Sequence, residues 1–179
     1  LASVLGLKLA VEGHARLDAH LRLVGSTPEG SVILDVKDLS VAPVKALDAH
    51  VEASALGGAF HLVSRGHLGN GTWFGVEANE IRPRGGALDE AGLRGATGSL
   101  DVDVSMPLAK IHELVETAPL LEGRGRVHVS VDRRDPAVLP LVQLRAFGTE
   151  LGGRVTPSDK VPPIAVGLDA VLTPEGKLT

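Results

Sequence analysis

The chain contains no cysteine and almost nothing aromatic: three phenylalanines, one tryptophan and no tyrosine in 179 residues. Without thiols there is no disulfide staple, no thiolate metal site and no cysteine nucleophile. A positive field is missing too, since 18 lysines and arginines face 22 aspartates and glutamates for a net charge of −4. With neither basic charge to draw a phosphate backbone nor rings to stack on bases, nucleic acid is excluded as a partner class. No apolar run approaches the roughly 20 residues of a membrane-spanning helix, and no signal-peptide pattern is present. The chain starts at Leu1 and stops at Thr179 within an apolar-rich pattern. It therefore reads as one domain, residues 1–179, cut from a longer protein.

What the sequence has is aliphatic weight: 44% hydrophobic residues, dominated by Leu, Val and Ala, with 22 glycines and 11 prolines. Sandwich cores commonly use large rings, so this composition favours a single sheet lining a narrow interior with small and medium aliphatics. Period-two alternation is the dominant pattern. Ala15, Leu17, Ala19, Leu21 and Leu23 alternate with His14, Arg16, Asp18, His20 and Arg22. The same rhythm returns in Leu47, Ala49 and Val51, in Leu100, Val102 and Val104, and in Val127, Val129 and Val131. Val32, Leu34 and Val36 extend it, as do Ile164, Val166 and Leu168. An extended strand of this kind carries one apolar and one wet face.

Turn signals separate the runs at 26–30, 56–58, 69–71, 83–86, 152–153 and 174–176. Leu-Asp-Ala recurs at Leu17, Leu47 and Leu168, but at no constant period, which fits a meander better than a regular solenoid. The predicted fold is all-β, a curled antiparallel meander forming an open groove. One segment departs from it: Leu108, Ile111, Leu114, Val115 and Ala118 follow helical spacing between Pro107 and Pro119, predicting a short amphipathic helix over 108–118 that caps one end.

Catalytic constellations are hard to assemble. Ser64 and Ser99 lack a GxSxG elbow and read as strand-end hydroxyls. Asp101 and Asp103 share a polar face, but solvated carboxylates keep ordinary acidity, and no aromatic residue stands near them in sequence. His14, His20 and Asp18 share another polar face, and His50 would join them if the two Leu-Asp-Ala-His strands paired; without HxH or HExxH spacing these read as surface residues, with no metal and no cofactor expected. Gly123-Arg124-Gly125-Arg126 and Arg82 to Gly86 read as turns with solvated arginines, because neither follows a strand and opens a helix. Asn70-Gly71-Thr72 matches a glycosylation sequon, which has meaning only in a eukaryotic secretory setting.

The glycine-led amphipathic strands at Gly13–Val24, Gly98–Met106 and Gly123–Asp132, with the low aromatic content, make the whole chain resemble the AsmA-like and TamB-like proteins of Gram-negative envelopes. That resemblance implies a periplasmic β-taco with a hydrophobic groove, tethered to the inner membrane by an anchor outside this segment. It also implies a role in moving phospholipid between membranes or in assisting outer-membrane assembly, with an outer-membrane β-barrel protein as partner. The expected function is a non-enzymatic groove for phospholipid or other apolar cargo, lined by the alternating aliphatics named above. The rival is a structural or interaction module, adhesin-like or chaperone-docking, with a filled core and edges that recruit another strand.

Overall fold

A computed structural model describes residues 12–25, 27–41, 44–86, 90–109, 122–152 and 164–179. Nine strands form one antiparallel sheet in simple sequence order. They are β1 (Glu12–Val24), β2 (Thr27–Val41), β3 (Val44–Leu56), β4 (Ala59–Leu68), β5 (Trp73–Arg82), β6 (Thr97–Pro107), β7 (Glu122–Arg133), β8 (Leu141–Gly152) and β9 (Ile164–Leu172). The sheet stays open, with β1 and β9 at its lateral edges. The all-β antiparallel meander expected from the sequence is the observed architecture.

Every alternating run lies inside a strand. β4, β5 and β8 are additions that alternation did not single out. The segment 27–30, expected as part of a turn, instead opens β2, where Pro28 pairs with Leu23 and Gly30 with Leu21. Likewise Gly123 to Arg126 is not a turn but the start of β7. There Arg124 donates to the Gly71 carbonyl at 3.1 Å. The predicted helix over 108–118 lies outside the described residues apart from Leu108 and Ala109. Among the described residues the helical elements are a 3-10 turn at Arg84–Gly86 and α1 (Glu90–Arg94), and Ala109, inside the predicted span, is helical too.

One bulge device recurs three times. Gly13 in β1, Gly98 in β6 and Gly123 in β7 each face two residues of the neighbouring strand, where an acidic residue takes a left-handed conformation: Asp38 (φ 52°), Glu80 (φ 50°) and Glu150 (φ 55°). A side chain at these glycines would run into the bulged backbone, 2.8 Å from the Asp38 carbonyl oxygen at Gly13 and 2.7 Å from that of Glu80 at Gly98. Bulges bend a strand and raise its local twist. Placed in β2, β5 and β8, they curl the sheet at regular strand intervals.

Packing is thin throughout. Among the described residues the buried apolar side chains are Ala55, Ala59, Ala78, Pro83 and Leu108, and no large side chain is fully buried. The stability of such a sheet comes from its ladders and cross-strand pairs, each pair contributing roughly 0.2–1 kcal/mol.

Candidate functional site

Residues opposite each other in an antiparallel pair share a face, so register converts strand patterns into rows across the whole sheet. The central row is Leu17, Leu34, Val51, Ser64, Val76, Val102, Val129, Leu144 and Ala170. On one side of it runs Ala19, Val32, Ala53, Leu62, Ala78, Leu100, Val131, Val142 and Leu172. On the other runs Ala15, Val36, Ala49, Gly66, Phe74, Val104, Val127, Ala146 and Leu168. Ser64 carries the one polar side chain in these three rows. It stands in the middle of β4, not at a strand end as expected.

Leu21, Leu23, Leu47, Ile164 and Val166 lie on the same face beyond the three rows, so every aliphatic of the alternating runs is brought onto one surface. The face is most open at its lateral edges, with Leu21 65% and Leu168 57% exposed, while the strands between are half-buried by their neighbours. Over β6 to β9 it forms a hollow of about 410 Å³ lined by Val104, Met106, Leu108, Val127, Leu151 and Val166 among others. Toward the opposite strand ends, over β5 to β7, a second hollow of about 380 Å³ lies against Leu93 of α1, Ile81, Leu100, Val131 and Pro140. α1 is held there by Arg133, which donates to the carbonyls of Arg94 (2.6 Å), Pro136 (2.7 Å) and Val138 (3.1 Å). Five residues with one apolar contact are too short to leave a helical period, which is why α1 was not foreseen.

The other face is charged. Its central row runs Arg16, Asp35, His50, Arg65, Gly75, Asp103, His128, Arg145 and Asp169. Arg126 grips Asp103 with Nε at 2.7 Å and Nη2 at 2.9 Å, while His128 Nδ1 lies 3.2 Å from the same carboxylate. The Arg126 hydrogen bond chiefly, with help from His128, holds the Asp103 carboxyl below the usual carboxylate range. Asp103 is thus fixed as an anion and unsuited to general-acid work. Trp73 lines one hollow of about 230 Å³ with Asp101, Asp103 and His128, so an aromatic ring does stand beside the two aspartates. Sequence distance concealed it.

β2 separates β1 from β3, so His50 does not join His14 and His20. Its ring instead sits between Asp35 (Nδ1 to Oδ1, 2.6 Å) and Glu52 (Nε2 to Oε1, 2.9 Å). The hydrogen bond to Asp35 first, then that to Glu52, raises the imidazole pKa. A raised folded-state value means that this contribution to stability is fully present below the unfolded imidazole pKa of about 6.5 and is lost as pH rises through the folded one. In an NMR titration the His50 midpoint is expected above 6.5 and should fall in Asp35→Asn. A midpoint that Asp35→Asn leaves in place would contradict the assignment. Among the described residues no three His, Asp or Glu side chains converge to hold a metal ion. None of the described helices is long and apolar enough to cross a membrane. The sequon residues form the β4–β5 turn, where the Thr72 amide donates to Asn70 Oδ1 at 2.9 Å.

No protein-family model matches the chain, and neither does any curated protein or solved structure.

Proposed function

We propose that this chain is a non-catalytic segment whose apolar sheet face holds the acyl chains of phospholipid. The observation that carries the reading is the continuity of three apolar rows across nine strands, with Ser64 the one polar side chain among them. A peptide or sugar lying on such a face would leave its own hydrogen-bonding groups unmet, at a cost of several kcal/mol, whereas a hydrocarbon chain has none to satisfy. Nine strands about 4.8 Å apart make a face about 38 Å wide, and one bilayer leaflet's chains need only about half of the ~30 Å hydrocarbon thickness.

The resemblance to AsmA-like and TamB-like proteins supplies the setting of the proposal: a periplasmic groove, anchored in the inner membrane by a segment outside residues 1–179, that conducts phospholipid between membranes or assists assembly of an outer-membrane β-barrel partner. The rival reading needed a tightly filled interior, and the described residues contain no fully buried large side chain to support it. The test is incubation with vesicles carrying a labelled phospholipid, followed by repurification. Labelled lipid is expected to travel with the protein; a folded protein that emerges without label overturns the proposal.

A further inference from the structure

We infer that the charged face is a binding site for an uncharged oligosaccharide, with Trp73 and Phe147 as its stacking platforms. Of the four aromatic residues in the chain, Phe60 and Phe74 stand on the apolar face and Trp73 and Phe147 on the charged one. Trp73 is 39% and Phe147 46% exposed, so neither ring fills a core. Both belong to one row across the sheet: Trp73 faces Ser105, Ser105 faces Arg126, and Arg126 faces Phe147. Three strand steps of about 4.8 Å set the two residues about 14 Å apart. Each ring leans over a glycine. A Cβ at Gly75 would stand 3.2 Å from Cη2 of Trp73, and one at Gly167 would stand 3.4 Å from Cδ1 and Cε1 of Phe147. The missing side chains let both rings lie along the sheet with one side turned to solvent, and hollows of about 290 and 230 Å³ adjoin Trp73.

The polar groups around the rings identify the ligand. Arg126 grips Asp103, His67 Nε2 lies 3.3 Å from Asp48 Oδ2, and Arg145 Nε lies 3.1 Å from Asp169 Oδ1. Charges paired in this way offer little net field, and an ionic ligand would meet a like charge beside every partner. The paired groups still have unused capacity, because a carboxylate has about four acceptor sites and a guanidinium five N–H donors. A hydroxyl both donates and accepts, so it uses groups of either sign. Asp103, lying between the two rings in strand order, is already fixed by Arg126 and His128, so its remaining lone pairs are oriented before a ligand arrives. A ligand covered in hydroxyls that also presents apolar C–H surface to an aromatic ring is a saccharide. Platforms about 14 Å apart are beyond the reach of one sugar and require a short chain of them. This surface is the opposite side of the sheet from the apolar rows, so the inference stands independently of the lipid reading.

The single tryptophan makes the site report on itself. Labelled protein is applied to an array of neutral, sialylated and sulfated glycans, and those retained are titrated against Trp73 emission. Neutral linear glycans of about three or more sugars should bind and shift the emission, with monosaccharides far weaker. Phe147→Ala should remove this dependence on length, lowering trisaccharide affinity about tenfold or more while leaving Trp73 emission as the readout. Trp73→Ala should lose the array signal, and Trp73→Phe should recover it. Ser54→Ala, on the same face but away from the row, should bind as wild type does. Circular dichroism establishes that each variant is folded, and Phe147→Ala decides by itself if Trp73→Ala is not. A wild type that retains no glycan, a preference for sialylated or sulfated glycans, or trisaccharide affinity that Phe147→Ala leaves unchanged overturns the inference.

Discussion

Replacing Gly30 by alanine is expected to peel β1 from the sheet. Gly30 sits inside β2 at φ +136°, a conformation that L side chains rarely adopt, and its Cβ would fall on the carbonyl oxygen of His20 in β1. The backbone strain costs about 1–3 kcal/mol and the overpacking a similar amount. Together these are a large share of the roughly 5–15 kcal/mol that keeps an ordinary domain folded. β1 pairs with no described strand except β2, so the loss should appear first as fast hydrogen exchange at β1 amides, together with a lowered melting temperature. Gly57→Ala is the control: φ is +57° but no atom lies within 4 Å of the added carbon, so only the left-handed penalty of about 1–2 kcal/mol applies. Equal effects of the two substitutions would show that the close approach of β1 and β2 at Gly30 is wrong.

Arginine at Val102 or Leu21 is expected to empty the apolar face without unfolding the protein. Val102 stands in the central row between Val76 and Val129; Leu21 lies near one lateral edge. In a filled core the new charge would find neither water nor partner, and the fold would fail. On an uncovered face its stem lies along the aliphatics while the guanidinium reaches solvent. Placed among acyl chains, the same charge costs about 2.5–3.5 kcal/mol, which lowers lipid occupancy more than about tenfold. Ser130→Arg, on the charged face beside Asp101 and Gln143, should leave occupancy unchanged. Melting curves and lipid content of the three variants provide the check. Loss of fold in both inward variants would sink the open-face account.

The strands that sequence pattern exposed are those whose alternation is unbroken, such as Ala15 to Leu23 and Leu100 to Val104. The missed strands are interrupted for physical reasons. β4 sets Ser64 and Gly66 on its apolar face, and β8 sets Phe147 on the charged one. In β5 and β8 the bulges at Glu80 and Glu150 add a residue and reverse the parity, so Ala78 is followed by Ile81, and Gly148 by Leu151, on the same face. Gly30 looks like a turn residue because the close packing of β1 on β2 demands a glycine inside a strand. The rows themselves were beyond reach: which residues stand together across nine strands depends on register, and register is set by turns and bulges that alternation alone does not locate. The neighbourhood of Trp73, Asp103 and His128 likewise exists only because β5, β6 and β7 are adjacent.

Native mass spectrometry of the protein as purified from cells tests the central claim most directly. Wild type should carry added masses matching phospholipids, which collisional activation releases as intact lipid, and Val102→Arg should fly predominantly bare while retaining its β-sheet circular dichroism. Bare wild type with the same folded spectrum, or lipid masses that Val102→Arg leaves undiminished, would contradict the account.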